Sequence, residues 1–394
     1  MPLLSNATTA KLTAVVAGIL MASCGTDEGP AVQAELTSTV ELGGGVVAEL
    51  SPGVVRDRDV DPPRLWASAP RFDITISTGP TDPEPATLRL QNIAPDATAT
   101  VSRVETVASG DVSGCPDETS RPIDCDNESD LACSEPTLTD VSDDASTVRD
   151  LTADLPACRR VTYDLRPPTP QNRPLRFAVV GATPNLDRLE RILADIEDRS
   201  AEGGAVDWIA LMGDHAEQRS PGSLDSLESR LAGRELPLML LRGENERLRN
   251  DQVSFRPRFG PITIQFTVGD ASFTSFDSAT RVLNGLSVES LNRRLDNGTS
   301  GPRIALTHTP LFDPDNLRDD GFRSELEASR ILSVLSQTNT RLLLAGHAPT
   351  RGRLERGNVD IVTASALDRP GYTMVTVPTT SDPETSVGVE RVDL

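Results

Sequence analysis

Three histidines stand in this chain of 394 residues, His215, His308 and His347. Two of them close apolar runs that read as strands. Arg303–Thr307 ends in His308-Thr309-Pro310, and Leu342–Ala345 ends in Gly346-His347-Ala348-Pro349. Trp208–Met212 leads into Gly213-Asp214-His215, and Leu238–Leu241 reaches Gly243-Glu244-Asn245-Glu246. A fifth run, Leu175–Val180, ends in Gly181-Ala182-Thr183-Pro184-Asn185. Imidazoles and carboxylates collected at one rim of a sheet are the material of a cation site or of proton transfer. No Ser/His/Asp set and no Gly-rich phosphate loop offers a stronger rival.

The elements that must position these residues read as an α/β domain. Between the runs, 185–199 carries helical spacing in Leu186, Leu189, Ile192, Leu193 and Ile196, and Leu224–Leu231 is helical too. Helical stretches at 286–297 and 324–338 separate later strands at Ile262–Val268, Ser272–Phe276, Val359–Thr363 and Thr373–Val377. Continuous apolar strands alternating with helices imply sheets covered on both faces. Ligands of such sheets bind in the loops that follow the strands, where the five segments above lie.

In order and spacing, these five segments resemble the signatures of the calcineurin-like metallophosphoesterases, purple acid phosphatases included: D-x-H, G-D, G-N-H-D/E, H and G-H-x-H. The resemblance covers about 175–378 and implies a metallophosphoesterase-type β-sandwich flanked by helices. It also implies two divalent metals that share a carboxylate, activate a water and hold phosphate oxygens. Mapped residue by residue, the first metal keeps only Asp214, because Ala182 and Pro184 replace the opening aspartate and histidine and Pro349 replaces the closing histidine. The second metal keeps Asp214, His308 and His347, with Glu244 in place of the asparagine. Two histidines with one or two carboxylates suit a single zinc, iron or manganese ion, so one divalent metal is expected and a two-metal centre is not. Asn245 stands at the family's catalytic histidine and cannot exchange protons near neutral pH. Glu244 could instead pair with Arg242 or Arg247, and with no cation it would face Asp214. His215 reads as a surface residue that could stand in for a lost ligand.

The rest of the chain reads as export machinery and a second domain. Residues 1–11 carry no acid and one lysine, and the apolar run Leu12–Ala22 is too short to span a bilayer but has the size of a signal-peptide core. Met21-Ala22-Ser23-Cys24 resembles a bacterial lipobox, with Cys24 as the lipidated residue, which adds a membrane anchor without a span. We therefore expect a lipoprotein signal over 1–23, a tether over 24–65, a small β-rich domain over 66–165, a Pro-rich linker over 166–174 and the phosphoesterase-like domain over 175–394. Period-two alternation at Phe72, Ile74, Ile76, Leu88 and Leu90 supports the β-rich domain. Cys115, Cys125, Cys133 and Cys158 suggest two disulfides that pin an acidic insertion over 108–160, with three connectivities open. The acids of 124–130 read as a solvated loop rather than a calcium site.

A formal charge of -21, with Lys11 the sole lysine, argues against a nucleic-acid partner, which needs a basic face. Three functions remain. They are a degenerate phosphoesterase anchored at the outer membrane or cell surface, an active mononuclear phosphoester hydrolase, and a surface binding or scaffold module that meets a protein partner.

Overall fold

The computed structural model describes residues 38–394 except 44, 82–83, 107–114, 116–121, 124–136, 143–145, 171–172, 248–254, 284, 297–299, 315–319, 350, 365–369 and 379–386. The signal segment, Cys24, Cys125, Cys133 and the acidic run at 124–130 lie outside the described residues.

Alternation at period two builds the amino-terminal half. One sheet has the order β1-β2-β5-β11-β7-β8. Its strands are β1 (Ser38–Gly43), β2 (Val46–Ser51), β5 (Phe72–Thr78), β11 (Arg159–Arg166), β7 (Thr98–Thr106) and β8 (Pro122–Ile123). The other has the order β3-β4-β6-β10-β9, from β3 (Gly53–Asp57), β4 (Arg64–Ala67), β6 (Ala86–Gln91), β10 (Val148–Asp154) and β9 (Thr137–Asp140). Inward side chains of both sheets, among them Leu50, Ile74, Ile76, Leu88, Leu90, Val161 and Tyr163, share one core.

Two expectations are corrected here. The stretch expected as a tether over 24–65 carries β1, β2, β3 and the start of β4, because residues such as Val46, Ala48 and Leu50 alternate inward as a half-buried strand requires. The insertion expected over 108–160 yields β10 and β11 at its end, and β11 lies in the middle of its sheet. Among the described cysteines, Cys115 is bonded to Cys158.

The carboxyl-terminal half is a second sandwich. β14 (Leu238–Leu240), β13 (Trp208–Leu211) and β12 (Leu175–Val180) run parallel, and β21 (Gly371–Val377) and β22 (Gly388–Asp393) continue the sheet antiparallel. The facing sheet has the order β15-β16-β17-β18-β20-β19. It comprises β15 (Gln265–Val268), β16 (Ala271–Phe276), β17 (Arg303–Thr307), β18 (Thr340–Ala345), β20 (Val359–Thr363) and β19 (Gly352–Arg356). Phe177 and Trp208 stack at 4.4 Å between the sheets, with Phe273 edge-on to both.

Helices cover the outer faces. Against the first sheet lie α1 (Leu186–Arg199) and α2 (Pro221–Leu231). Asn185 caps α1 by accepting from the Arg188 amide, and Ser220 caps α2 with Pro221 in its first turn. Beside β3 lies the single turn α3 (Arg256–Phe259), and α4 (Gly285–Leu295) and α5 (Glu325–Gln337) cover the second sheet. The order is helix, sheet, sheet, helix, as the alternation of elements requires. No helix among the described residues is long and apolar enough to cross a membrane.

The two sandwiches belong to one compact unit. Asn92, at φ 65°, donates from Nδ2 to the Ala67 and Leu238 carbonyls and accepts the Leu238 amide at Oδ1, each at 2.6 Å. The Ser68 hydroxyl donates to the Phe259 carbonyl at 2.7 Å, and the Arg56 guanidinium stacks on Trp66 at 3.6 Å.

Candidate metal centre

The site forms where β13, β14, β17 and β18 end. After β13 the chain turns sharply, with Gly213 at φ 88° and Asp214 at φ 57°. A Cβ on Gly213 would lie 2.6 Å from the Gly243 nitrogen and 2.7 Å from His308 Nδ1, so only glycine lets these loops meet. Glu246 holds the turn in place. Its buried carboxylate accepts four backbone amides, from Asp214 and Gly243 at 2.8 Å and from His215 and Ala216 at 2.7 Å. The sequence reading gave Glu246 no role; the acid closing its signature was the available signal.

Asp214 is then aimed. Its Oδ1 accepts the Asn245 amide at 2.8 Å, and its Oδ2 lies 3.3 Å from His308 Nε2 and 3.4 Å from His347 Nδ1. The fully buried His308 donates from Nδ1 to the Met212 carbonyl at 2.7 Å, because a carbonyl only accepts. That bond fixes the tautomer and leaves Nε2 as the ring's donor atom for a cation. Nε2 makes no well-aligned hydrogen bond among the described residues. A lone pair facing a carboxylate oxygen is repulsive unless a proton or a metal cation lies between them. His347 is held beside it: the Gly346 and His347 amides both donate to the His308 carbonyl, and the rings pack 4.8 Å apart.

One nitrogen from each histidine and one oxygen of Asp214 thus lie within 4.8 Å of one another. The three donors fit one borderline divalent cation. Burial pushes the Asp214 carboxyl up, but the His308 ring, then His347 and the Asn245 amide, outweigh it and hold it well below the usual carboxylate range. Burial alone would lower His308, and the Asp214 carboxylate instead raises it. Burial and the Asp214 charge push Glu246 up against the pull of its amides.

The other candidates are placed differently from their expected roles. Glu244 is outside the cluster and does not face Asp214; its carboxylate accepts Arg219 Nη2 at 2.6 Å. Arg242, expected as a possible partner, is buried and pairs with Asp277. The reason is the turn over 243–246, which sends Glu246 inward and Glu244 out toward solvent. His215 is fully buried rather than at the surface, its ring makes no well-formed hydrogen bond, and burial drives its pKa down to about 3. Asn245 turns its side chain to the Ala216 carbonyl at 3.1 Å.

The loop carrying Ala182 and Pro184 does sit against this rim. The Ala182 amide donates to the Gly346 carbonyl at 2.9 Å and the Thr183 amide to the Asp214 carbonyl at 3.1 Å. Pro349 follows His347 in the loop after β18. None of the three supplies a side-chain metal donor.

Comparison with known proteins adds a likeness of architecture. No family model matches the chain, and no curated protein matches its sequence. Among solved structures it is similar to a purple acid phosphatase from yellow lupin (Lupinus luteus) seeds, with 10% identity and a TM-score of 0.44 over 88% of this chain and 77% of that one. It is similar to a dimetal phosphatase from Danio rerio, with 11% identity and a TM-score of 0.43 over 56% and 96%. It is also similar to GAP50, the anchor in the inner membrane complex of Plasmodium, with 15% identity and a TM-score of 0.40 over 57% and 90%.

Proposed function

We propose that this is an exported, lipid-anchored protein with a degenerate metallophosphoesterase domain. The domain keeps one cation-binding half of a two-metal centre and has little two-metal hydrolytic activity. One observation carries the reading: His308 Nε2, its tautomer fixed by the Met212 carbonyl, lies 3.3 Å from Asp214 Oδ2 with His347 alongside. In this reading Asp214, His308 and His347 hold a single zinc, iron or manganese ion. Bound there, such an ion polarises a phosphoester oxygen and lowers the pKa of water.

What the chain itself contributes is narrower. The Glu246-bonded turn orients Asp214, the His308 carbonyl orients His347, and no side chain at Ala182, Pro184 or Pro349 holds a second ion. Asn245 cannot deliver a proton to a leaving group. Export and lipidation at Cys24 rest on the sequence of residues 1–24.

Elemental analysis of the purified protein tests the reading, with turnover of an aryl phosphate measured beside it. The expected result is one equivalent of metal per chain, lost in His308→Ala and in the milder His347→Ala, with only slight turnover. Two equivalents, together with ordinary enzymatic turnover that disappears in Asp214→Ala, would overturn it. Retained metal, lost on His347→Ala, with brisk turnover would instead establish the mononuclear hydrolase.

A further inference from the structure

A carboxylate carried by a loop of the cation site is turned away from the site. Glu244 lies in the loop that grips Asp214. The Asn245 amide donates to Asp214 Oδ1 at 2.8 Å, and a Cβ on Gly243 would stand 2.4 Å from that same oxygen. The backbone on one side of Glu244 therefore bonds to the ligating carboxylate, and on the other side it passes too close for any side chain. The Glu244 carboxylate itself accepts Arg219 Nη2 at 2.6 Å, in a pair whose side chains are 55% (Arg219) and 27% (Glu244) exposed.

We propose that Glu244 is a latent fourth ligand held off by Arg219, so that cation binding and release of the Arg219 guanidinium toward an anionic ligand are one event. The inference rests on the single-cation reading above. Without a cation, a third carboxylate turned toward Asp214 and Glu246 would add repulsion, and Arg219 gives it somewhere else to go. With a divalent cation on Asp214, His308 and His347, the balance reverses. A solvent-exposed ion pair is weak, whereas a carboxylate on a partly dehydrated cation is a strong contact. Rotation of the Glu244 side chain then frees a planar fork of N–H donors at the mouth of the site. Such a fork matches two oxygens of a phosphate or phosphoester. The cation and Arg219 would hold that anion together, so each ligand tightens the other by the same factor.

The test is Mn2+ binding to the full chain by equilibrium dialysis, for wild type, Arg219→Ala, Glu244→Gln and the double variant, with and without inorganic phosphate. Arg219→Ala should tighten Mn2+ by about two- to fivefold, since no ion pair has to be broken first. Glu244→Gln should weaken it by at least about tenfold. The double variant should match Glu244→Gln alone, because Arg219 acts on the cation only through Glu244. Phosphate should tighten Mn2+ in the wild type, and Arg219→Ala should shrink that gain to the part that comes from the cation's own contact with phosphate.

An unchanged Mn2+ affinity in Arg219→Ala, additive effects in the double variant, or phosphate coupling undiminished without Arg219 would each overturn the inference. Loss of Mn2+ in His347→Ala alongside any of these would leave the single-cation reading standing. Failure of every variant, wild type included, to bind Mn2+, with no zinc or iron found in the purified protein by elemental analysis, would remove both.

Discussion

The sharpest test of how this rim is built is Glu246. Its buried carboxylate is the shared acceptor for four backbone amides, and those amides belong to the two turns that carry Asp214 and Asn245. In Glu246→Ala all four donors lose their acceptor inside the protein, and each unsatisfied buried donor costs about 1–3 kcal/mol. Relaxation recovers part of the sum, so a loss of about 4 kcal/mol or more is expected, with Mn2+ binding lost as well.

Glu246→Gln separates two states of the native side chain. A carboxylate accepts at both oxygens, whereas a glutamine accepts at one and turns an NH2 toward the amides bonded to the other. Glutamine should therefore cost roughly 2–4 kcal/mol. Burial and the Asp214 charge favour a protonated Glu246, and the four amides favour an ionised one. We expect the amides to prevail at neutral pH, since a carboxylic O–H would point at another donor. Urea unfolding of the three proteins at neutral pH gives the numbers. A Glu246→Gln variant within about 0.5 kcal/mol of wild type would mean that the side chain is protonated, and the account of the turn would be wrong.

Other consequences can be checked with the same assays. Gly213→Ala should cost at least about 2 kcal/mol and abolish Mn2+ binding, because φ 88° and a 2.6 Å approach to the Gly243 nitrogen leave no room for a methyl group. Asn92→Ala removes three hydrogen bonds, two of them across to Leu238 of the other sandwich, and should lower stability by about 2–4 kcal/mol, read as a shifted urea midpoint. His215, driven down to about 3 by burial, titrates below its unfolded value of 6.5. Its contribution is thus full above pH 6.5 and falls away as the pH drops toward 3, by about 1.4 kcal/mol per pH unit. His215→Leu should flatten the stability profile just below pH 6.5, and an unchanged slope there would contradict the buried, neutral ring.

Much of this architecture was legible because strand ends carry their own punctuation. Runs such as Trp208–Leu211 and the Ile304–Leu306 centre of β17 are apolar without alternation, since both faces of their sheets are covered, and the residues that follow fall on one rim. That rim is where Asp214, His308 and His347 meet. Two things were less visible. The glycines at 43–45 drew attention from the alternation of Val46, Ala48 and Leu50, which marks β2. The direction of a side chain in a tight turn is also not written in spacing. Glu244 and Glu246 are two residues apart and chemically alike, yet one meets Arg219 and the other four amides. Likewise nothing in the Asp214-His215 pair says that the second side chain points into the core.

The Asn92 clasp bears on more than the seam it spans. β14 is the last strand of its sheet, and an unguarded strand offers its amides and carbonyls as a template to any passing chain. Asn92 occupies both polar groups of Leu238, standing in for the neighbour that β14 lacks. The amino-terminal sandwich is thereby a built-in guard against strand-to-strand self-association, and a fragment beginning at Leu175 would be expected to clump through that exposed border.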